Sequence, residues 1–528
     1  ISMKKALLQM ALCLPLLAGA DIVQAQGHTH VGACGTSVAD QQVFMERMHE
    51  NRRNRADLLA RRDLMYRSAD SIVYIPLQFH FVGQSDGTGF INADNVWANM
   101  CRLNADYADQ NIQFYLYAPP RYIASTSLYN NNDRSTGMVN YLMALNKVPG
   151  AVNIYIGNVI GSMSGMGVTL GYYTSYPDVI YCIRGTINGT SKTLTHELGH
   201  YFTLAHPFFG WEDQDYRDVA AVNGGKAPEY SGNGVLTERV ARSGGSENCQ
   251  IAADGFCDTK PDYNFGILAG GCSMPFPAFD PDSVALDPAS AADNYMSYFN
   301  DGCTTGFSDE QKDAIVLDVI SRGYDLLPDP SLAEVTQAPT LTWPTSSAPS
   351  PYTTAQLRWE AVPNATLYTV TVDRMLNGSF VSRVGQWVTN ETDLWVTLTP
   401  NNQFRWTVRA TNSIDFCDNN SASEDFVTYN WVVGVDQLGN SGLNDVRLFP
   451  NPANRQAPVT LEIDVTQHLE ANITITNALG QRVMPRQQLV LVQGTNTQQL
   501  DLSMLATGMY FVTVETGDGR TTRKIMLD

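Results

Sequence analysis

The segment HELGHYFTLAH, residues 196–206, decides how the first half of this chain is expected to fold. His196 and His200 stand four residues apart, and on a helix this spacing places both imidazoles on one face, one turn apart. Two nitrogen ligands at that separation can bind one tetrahedral zinc ion. The segment therefore predicts a helix over Thr193–Ala205 that carries two metal ligands.

Two further residues complete the predicted site. Glu197 stands beside the first ligand on the same side of the helix, where it can hold a water molecule at the metal and take its proton. His206 follows six residues after His200, beyond the helix end, and supplies a third ligand. The fourth position then stays open for water, which distinguishes a catalytic zinc from a structural one. We therefore predict a hydrolytic zinc centre, with a purely structural zinc site as the alternative.

Size and charge limit the rest of the protein. The chain has 528 residues, too many for one ordinary core, so two to four domains are expected. Its formal net charge of −19 argues against nucleic acid or an anionic membrane as a partner and suits an exported protein. Beyond the N-terminus, no segment approaches the roughly 20 apolar residues that a membrane span needs.

The N-terminus has the pattern of a signal peptide over residues 1–25. Two lysines precede an apolar stretch, and Val23-Gln24-Ala25 offers a small-residue cleavage site. The alternative is a buried N-terminal helix. Export implies a periplasmic or extracellular environment, in which the cysteines beyond the signal peptide can form disulfides.

Strands and helices alternate between residues 67 and 328. Runs of β-branched and aromatic residues predict strands at 72–83, 112–117, 152–157 and 179–183. Apolar spacing predicts a helix capped by Asp94 and a later helix at Asp309–Ser321. Together these elements predict an α+β catalytic domain, with a mixed sheet and an active-site helix. Residues 26–66, which end in an arginine-rich helical stretch, precede this domain.

The composition changes at about residue 328. Residues 329–350 are rich in Pro, Ser and Thr and predict a linker. Residues 351–436 alternate apolar and polar side chains with period two, which is typical of an all-β sandwich. This stretch resembles a fibronectin type III module. Its aromatic residues Trp359, Tyr368 and Trp406 are expected in the core rather than at a ligand site.

The tail, residues 444–528, is again composed of strands and turns and predicts a second all-β sandwich. Its FPNP motif at 449–452 and its ending, LATGMYFV to KIML, resemble the C-terminal sorting domain of the type IX secretion system. That resemblance implies a secreted or cell-surface location reached through the periplasm, with the secretion machinery as a partner. The alternative is one more adhesive sandwich domain.

The motifs around the histidines resemble the pappalysin family of metzincin proteases. The resemblance runs from Cys34 to about Ser321 and includes LTHELGHYFTLAH, DGFCDTKP and NYMSYFNDGC. Metzincins share the pattern HExxHxxGxxH, but Thr203 stands here in place of the glycine. Glycine permits a sharp turn there, which a β-branched residue adopts only with strain. Met296 fits the methionine of the family's turn beneath the metal.

The resemblance implies roles for further residues. Tyr298 matches a tyrosine that steadies the oxyanion in the transition state. Asp254, Asp258 and Thr259 match a loop that binds calcium through hard oxygen ligands, although acidic loops are often only solvated.

Cysteines also match the family. The resemblance pairs the clustered cysteines as Cys249–Cys272 and Cys257–Cys303. The segment ACGTS, residues 33–37, resembles a propeptide motif in which Cys34 would bind zinc as a thiolate and keep the enzyme latent. The alternative is an unpaired cysteine without a role.

Asp301 is the candidate for substrate selection. It lies five residues after Met296, in the segment that forms the floor of the S1′ pocket in metzincins, and an aspartate at this position selects basic side chains in pappalysins. A buried carboxylate there would pair with a guanidinium, so we predict cleavage before Arg, with Lys weaker. Self-activation would then follow at Ala60–Arg61, Arg61–Arg62 or, by preference, Tyr66–Arg67. The alternative makes Asp301 a solvent-facing turn residue.

The sequence therefore predicts a secreted zinc-dependent endopeptidase, made as a latent zymogen, that acts on protein or peptide substrates. Two alternatives stay open, namely a secreted adhesin with a decayed protease domain and a cell-surface scaffold. Intact ligands and Glu197 argue against decay, and a scaffold leaves the histidine motif unexplained. The pattern does not assign the physiological substrate, the oligomeric state, removal of the tail, or the roles of Cys101, Cys182 and Cys417.

Overall fold

The structure is a computed structural model that describes most of the chain. The described residues are 32–64, 71–131, 137–160, 168–242, 248–269, 271–287, 289–327, 330, 333–346, 354–418, 420–428, 442–455, 457–516 and 519–528. The predicted signal peptide, residues 1–25, and the Tyr66–Arg67 bond lie outside these ranges. Within them, no helix has the length and apolar character needed to cross a membrane.

The N-terminal region is an α/β layer built on a mixed sheet. Its described strands are β1 (Gly32–Cys34), β2 (Val73–Gly83), β3 (Ile112–Leu116), β4 (Arg121–Ala124), β5 (Val152–Gly157), β6 (Val168–Thr174) and β7 (Val179–Ile183). They follow the order β1-β6-β7-β5-β2-β3, and β4 also pairs with β2. The β6–β7 pair is antiparallel, and the other pairs are parallel. The predicted mixed sheet is therefore confirmed.

Helices cover both faces of this sheet. The helices of this region are α1 (Val38–Arg53), α2 (Arg55–Leu64), α3 (Ala93–Asp106), α4 (Thr126–Asn130), α5 (Met138–Asn146), α6 (Thr193–Tyr201), α7 (Tyr216–Val222) and α8 (Asp309–Ser321), of which α7 packs in the loop-rich region after α6 instead of on the sheet. Alternate residues of β5 enter different cores, because successive strand side chains point to opposite faces. Ile154 and Ile156 join the core that contains α3 and α6, whereas Tyr155 joins the one beneath α4 and α5. Burial on both faces explains the almost continuously apolar strands.

The four strands predicted in this region are present, and two helix boundaries differ from the prediction. Helix α3 begins after Asn92, and the carboxylate of Asp94 accepts a hydrogen bond from Gln386 instead of capping the helix. Helix α6 ends at Tyr201 rather than Ala205, because the chain must turn there to bring His206 back towards the helix. Helix α8 has the predicted bounds, and a reciprocal capping box between Ser308 and Gln311 defines its start.

Two facing antiparallel sheets follow the N-terminal region. Their first strand, Leu341–Trp343, lies inside residues 329–350, so the predicted linker is too long. The strands are β8 (Leu341–Trp343), β9 (Thr354–Trp359), β10 (Leu367–Leu376), β11 (Ser379–Thr389), β12 (Asp393–Thr397), β13 (Gln403–Thr411) and β14 (Ser421–Val427). One sheet has the order β11-β10-β13-β14 and the other β12-β9-β8. Trp359, Tyr368 and Trp406 are buried in the shared core, as predicted. We call this unit the first sandwich.

The tail forms a second all-β sandwich. Its strands are β15 (Leu443–Phe449), β16 (Val459–Val465), β17 (Leu469–Asn477), β18 (Gln487–Leu491), β19 (Gly494–Leu500), β20 (Gly508–Thr516) and β21 (Gly519–Leu527). The sheets have the orders β15-β16-β19 and β18-β17-β20-β21 around one apolar core. The predicted multidomain architecture with two all-β sandwiches is therefore confirmed, whereas the N-terminal region, predicted as α+β, is an α/β layer.

The first sandwich docks onto helix α3. The indole of Trp97 donates a hydrogen bond to the Thr369 hydroxyl at 2.9 Å, and its ring packs on Phe416 with centroids 6.4 Å apart. A disulfide joins Cys101 of α3 to Cys417 of the sandwich. Sequence reasoning left both cysteines without a role, because a bridge between residues 316 positions apart has no local signature.

Candidate metal centre

Helix α6 presents the first two histidines, and all nine of its residues are buried. Its position is set by α3, because the Thr195 hydroxyl donates to the Asp106 carboxylate at 2.7 Å and the Tyr107 hydroxyl donates to the Thr195 carbonyl at 3.0 Å. After the helix, Thr203 adopts a left-handed backbone conformation with φ 77°. This sharp turn returns the chain so that His206 faces the helix.

The three histidines converge with Cys34. One ligand atom from each of Cys34, His196, His200 and His206 lies within 4.8 Å of the others. The Nε2 atom of His206 is 3.3 Å from that of His196 and 3.1 Å from that of His200. Nitrogen ligands of a tetrahedral zinc at its usual bond length stand about 3.3 Å apart. The four donors therefore fit a single metal ion.

The other ring nitrogen of each histidine is held by an oxygen acceptor. Nδ1 of His196 bonds the Tyr295 carbonyl at 2.8 Å, and Nδ1 of His200 bonds the Leu204 carbonyl at 2.7 Å. Nδ1 of His206 lies 3.1 Å from the Glu212 carboxylate. A proton on each Nδ1 leaves each Nε2 lone pair for a metal.

Burial also favours the neutral form of these imidazoles. It lowers the pKa of His196 to about 4. It lowers the pKa of His200 and that of His206 well below the ordinary value, with the neighbouring histidines contributing in the same direction. Neutral imidazole is the form that binds metal, so the site is prepared for a cation at neutral pH.

Cys34 reaches the centre from the N-terminal segment. Its strand β1 pairs in parallel with the edge strand β6, and the Gly35 N–H donates to the Gly171 carbonyl at 2.7 Å. The Cys34 sulfur lies 3.4 Å from Nε2 of His200 and accepts a hydrogen bond from the Thr36 N–H at 3.3 Å. A thiolate here would complete a Cys/His₃ ligand set.

Glu197 is buried beside the ligands. One of its carboxylate oxygens lies 3.5 Å from the Cys34 sulfur and 3.5 Å from the Thr36 hydroxyl. Gly171 of β6 lies directly behind it, and a Cβ at that position would approach the Glu197 carboxylate to 2.9 Å. Sequence reasoning missed Gly171, because its importance depends on the close approach of a strand to the helix.

Met296 and Tyr298 both lie close to the histidines. Met296 is fully buried, and a methyl group on Gly199 of α6 would collide with its sulfur. The Tyr298 ring lies 4.9 Å from that of His206, and its hydroxyl donates to the Cys34 carbonyl at 3.0 Å. Burial raises the pKa of Tyr298 well above its ordinary value, so the phenol keeps the proton that it donates.

Asp301 lies at the cleft but is not buried. A cavity of about 770 Å³ opens beside His196 and Glu197 and is lined in part by Arg102, Lys192 and Asp301. The Asp301 side chain is exposed, in a turn closed by the Gly302 N–H on the Asn300 side chain at 3.0 Å. The expectation of a buried carboxylate is therefore wrong. Its own backbone carbonyl accepts a hydrogen bond from the Lys192 ammonium at 2.7 Å.

The disulfides of the loop-rich region also differ from the expectation. The bridges are Cys249–Cys257 and Cys272–Cys303, not Cys249–Cys272 and Cys257–Cys303. The Cα atoms of the two pairs are 5.0 and 5.3 Å apart. These separations depend on how the surrounding loops fold, so the spacing of the cysteines along the chain does not predict the pairing. Cys34 and Cys182 are the free cysteines of the described chain.

Two of the three residues expected in the calcium loop, Asp254 and Thr259, lie together, whereas Asp258 does not join them. The Asp254 carboxylate is buried and accepts a hydrogen bond from the Thr259 hydroxyl at 3.1 Å. Asp258 instead caps α8, accepting from the Ser308 hydroxyl at 2.6 Å and from the Glu310 N–H at 2.8 Å. Its carboxylate is therefore engaged away from Asp254.

Two acids that sequence reasoning missed accompany Asp254. Glu238 and Asp262 are buried, and one carboxylate oxygen of each of the three acids has no hydrogen-bond partner in the described part of the chain. Burial raises the pKa of Asp254 to about 8 and that of Asp262 to about 7. Burial and the two aspartates also raise the pKa of Glu238 well above its ordinary value. Such unpaired carboxylates are the ligands that a hard cation prefers.

Comparison with known proteins agrees with the predicted tail. Residues 447–528 match the secretion system C-terminal sorting domain. The tail carries an export signal. The protein is therefore directed by type IX secretion to the cell surface or beyond, as predicted.

The chain is also similar in part to extracellular metalloproteases. An extracellular metalloprotease of Colletotrichum graminicola is 24% identical over 264 residues, which cover 46% of this chain and 75% of the relative. One from Neurospora crassa is 24% identical over 295 residues, which cover 53% of this chain and 85% of the relative. Together with the sorting domain, these similarities support a secreted metalloprotease.

Solved structures do not extend this conclusion. The fn3 domain of the human collagen alpha-1(XX) chain aligns with 19% of this chain and 94% of its own length, at 16% identity and a TM-score of 0.15. A structure described as FN3tt mut aligns with 18% of this chain and 96% of its own, at 18% identity and a TM-score of 0.13. Scores this low carry no argument, so the fibronectin-like assignment of residues 351–436 stays a prediction.

Proposed function

We propose that this protein is a secreted zinc-dependent endopeptidase of the metzincin type, similar to the pappalysins and made as a latent zymogen. The observation that carries the proposal is the convergence of three neutral histidine Nε2 atoms beside Glu197, with the Cys34 sulfur placed among them. An adhesin with a decayed protease domain would not need to retain this buried carboxylate, so the enzyme is favoured.

The chain's own residues supply the remaining steps. Zinc, when bound, acidifies a water molecule and stabilises negative charge on the substrate carbonyl oxygen. Glu197 takes the proton from the attacking water and delivers it to the leaving amine. Tyr298 donates a hydrogen bond to the oxyanion, a role supported by its present bond to the Cys34 carbonyl, a peptide carbonyl beside the ligands. Met296 supports α6 from below.

Residues 26–66 act as the latency segment in this proposal. Cys34 takes the fourth ligand position, and β1 covers the edge of β6, where an extended substrate can add a strand. Helix α1 anchors the segment through Arg47, which forms an ion pair of 2.9 Å with the buried Asp318 of α8. Removing the segment exposes the metal and the strand edge together.

Activation is proposed at Tyr66–Arg67. The bonds Ala60–Arg61 and Arg61–Arg62 lie inside α2, and the Arg61 guanidinium binds the Ile320 carbonyl. A protease binds its substrate in an extended form, so a bond after the helix is the better candidate. Selection of Arg by Asp301 stays part of the proposal. We expect it to be modest, because the carboxylate is exposed and the Lys192 ammonium lies close by.

Calcium is proposed as a second, structural ion. We propose Asp254 and Thr259 as ligands, as the resemblance implies, and leave out Asp258, whose carboxylate caps α8. The unpaired oxygen of the buried Asp254 carboxylate supports a cation there, since an isolated carboxylate is costly to bury.

One experiment tests the catalytic proposal. The purified full chain is analysed for metal content and then, after activation, for cleavage of casein and of a peptide library. We expect one zinc per chain, cleavage that 1,10-phenanthroline abolishes, and a mature N-terminus at Arg67. A chain without zinc, or cleavage that the chelator leaves unchanged, contradicts the proposal. Cleavage before a residue other than Arg contradicts the proposed specificity but not the proposed zinc-dependent cleavage.

A further inference from the structure

The third histidine is oriented differently from the first two. Helix geometry places His196 and His200, and backbone carbonyls hold their Nδ1 atoms. His206 comes from a loop, and its Nδ1 is held by a side chain, the carboxylate of Glu212 at 3.1 Å. Glu212 thus restricts the orientation of the His206 ring, as the helix restricts the positions of His196 and His200.

The Glu212 carboxylate is buried and surrounded by donors. The Gly210 N–H donates to one oxygen at 2.7 Å, and the Gln41 amide donates to the other at 2.8 Å, the same oxygen that His206 contacts. A carboxylate in such a site fixes the tautomer of an adjacent imidazole and raises its basicity as a ligand. These three donors satisfy both oxygens of the buried carboxylate and fix its orientation.

Gln41 belongs to helix α1 of the latency segment, and both polar atoms of its side-chain amide form hydrogen bonds. The amide nitrogen donates to the Glu212 carboxylate, and the amide oxygen accepts from the backbone N–H of His206 at 3.1 Å. The side chain is fully buried. The latency segment therefore contacts the metal centre at two separate points, Cys34 and Gln41.

We propose that Glu212 is the positioning residue of the third metal ligand and that Gln41 forms a second latch, which holds the latency segment on the centre through Glu212 and His206. This inference rests on the proposed zinc function. The latency segment is then held by the Gln41 amide as well as by Cys34. The amide N–H donates to the Glu212 carboxylate, and the amide oxygen accepts from the backbone N–H of His206.

The first test measures zinc affinity by competition with a chromogenic chelator. It uses the full chain with Glu197→Ala, which prevents self-processing. Glu212→Ala is expected to weaken zinc binding by about 10–100-fold, the usual effect of losing such a partner. Glu212→Gln, which keeps an acceptor for Nδ1, should recover part of the loss. The control, Asp218→Ala, removes an exposed acid of α7 and should leave the affinity unchanged.

The outcomes separate the two proposals. Unchanged affinity in Glu212→Ala beside a zinc-loaded parent overturns the positioning role and leaves the protease proposal intact. A parent chain that binds no zinc overturns both. Equal losses in Glu212→Ala and Glu212→Gln also overturn the positioning role, because the acceptor would then be irrelevant.

The second test follows the reaction of Cys34 with a thiol reagent at pH 8, in the same background. Gln41→Ala is expected to speed labelling about tenfold, the effect of losing one hydrogen bond to a charged group. Gln41→Glu should be faster still, because it sets a second carboxylate against Glu212. If Gln41 only fills space, Gln41→Ala should be labelled faster than Gln41→Glu, because glutamate fills the volume that alanine leaves empty. That reverse order would overturn the latch.

A matched control separates the latch from general loosening of α1. Asn51 is another buried amide of α1, and it donates to Asp318 at 3.0 Å, away from the centre. Asn51→Ala should raise the Cys34 labelling rate less than Gln41→Ala does. Equal rates in the two variants would overturn the assignment of Gln41 to the metal centre.

Discussion

Thr203 carries strain that its sequence position predicts. Its backbone has φ 77°, in the left-handed region where non-glycine residues lose about 1–2 kcal/mol. The turn persists because the Thr203 N–H donates to the His200 carbonyl at 3.0 Å and the Leu204 N–H donates to the Gly199 carbonyl at 2.9 Å. The Thr203 hydroxyl is buried and has no hydrogen-bond partner in the described chain. The same turn brings His206 towards His196 and His200, so the strained conformation is needed for the three histidines to meet.

Substitution at this turn gives a clean comparison. Thr203→Gly and Thr203→Ala both remove the hydroxyl and methyl groups, but only glycine relieves the left-handed strain. We expect the glycine variant to have a free energy of unfolding about 0.5–1 kcal/mol above that of the alanine variant, after the extra entropy of unfolded glycine is deducted. Urea denaturation measures the difference. An alanine variant that is equally stable or more stable would show that the turn is unstrained.

In the proposed mechanism, Glu197 takes a proton from a water molecule at the metal. Glu197→Ala is expected to retain zinc, since the ligands are untouched, and to lose proteolysis by at least about 10²–10⁴-fold, the usual contribution of a general base. Zinc analysis and casein cleavage on the same preparation check both halves. Asp218→Ala serves as the control with full activity expected. Comparable cleavage by Glu197→Ala and its parent would refute the proposed mechanism.

At the scale of elements, helix α3 connects the cleft with the first sandwich. On one side Arg102 lines the cleft, and the Asn99 amide donates to the Asn188 carbonyl at 2.7 Å. On the other side Cys101 bonds covalently to Cys417 of the sandwich. The cleft wall and the sandwich therefore share one helix, so the sandwich is structurally part of the proteolytic unit.

Removing this bridge is expected to destabilise both units. The double variant Cys101→Ser with Cys417→Ser should lower the free energy of unfolding by about 2–4 kcal/mol, because the disulfide closes a very long loop. Removing Cys249–Cys257, which closes a loop with a sequence separation of 8, should cost less. Urea denaturation under non-reducing conditions compares the two. A larger loss from the short loop would contradict the role assigned to the long one.

At the scale of the whole molecule, the region between α6 and α8 depends on side chains rather than on regular elements. Its core is an aromatic cluster around Trp211, Tyr216 and Tyr263, and two disulfides cross it. The acids Glu238, Asp254 and Asp262 lie buried in the same region. An ion bound there would contribute to folding a segment that has little secondary structure of its own.

The proposed calcium therefore predicts a dependence of stability on pH. The folded-state pKa of Asp254, about 8, and that of Asp262, about 7, lie above the unfolded values. Without a cation, these two groups bind more protons in the folded state, so their contribution to stability is fully present below about pH 4 and is lost as pH rises to about 8. Calcium should cancel this fall. We expect calcium to raise the melting temperature over that in EGTA more at pH 8 than at pH 5. Equal increments at the two pH values would contradict the site.

Patterns within single elements could be read directly from the sequence. The four-residue spacing of His196 and His200 needs only helical geometry, and the bounds of α8 follow from its own stretch of sequence. The sorting domain was recognised from its own strands and turns. Each of these features is local, so the backbone periodicity that specifies it is already present in the sequence.

The features that only the tertiary structure decided join segments that are distant in the sequence. The Cys101–Cys417 bridge, the actual pairing of Cys249 with Cys257, and the contact of Gln41 with Glu212 have no local signature. Each depends on which surfaces meet when separate elements pack, and many pairings share the same spacing along the chain. The sequence by itself therefore predicted the three histidines and the cysteine that the structure brings together, and the packing of distant elements determined what holds them in place.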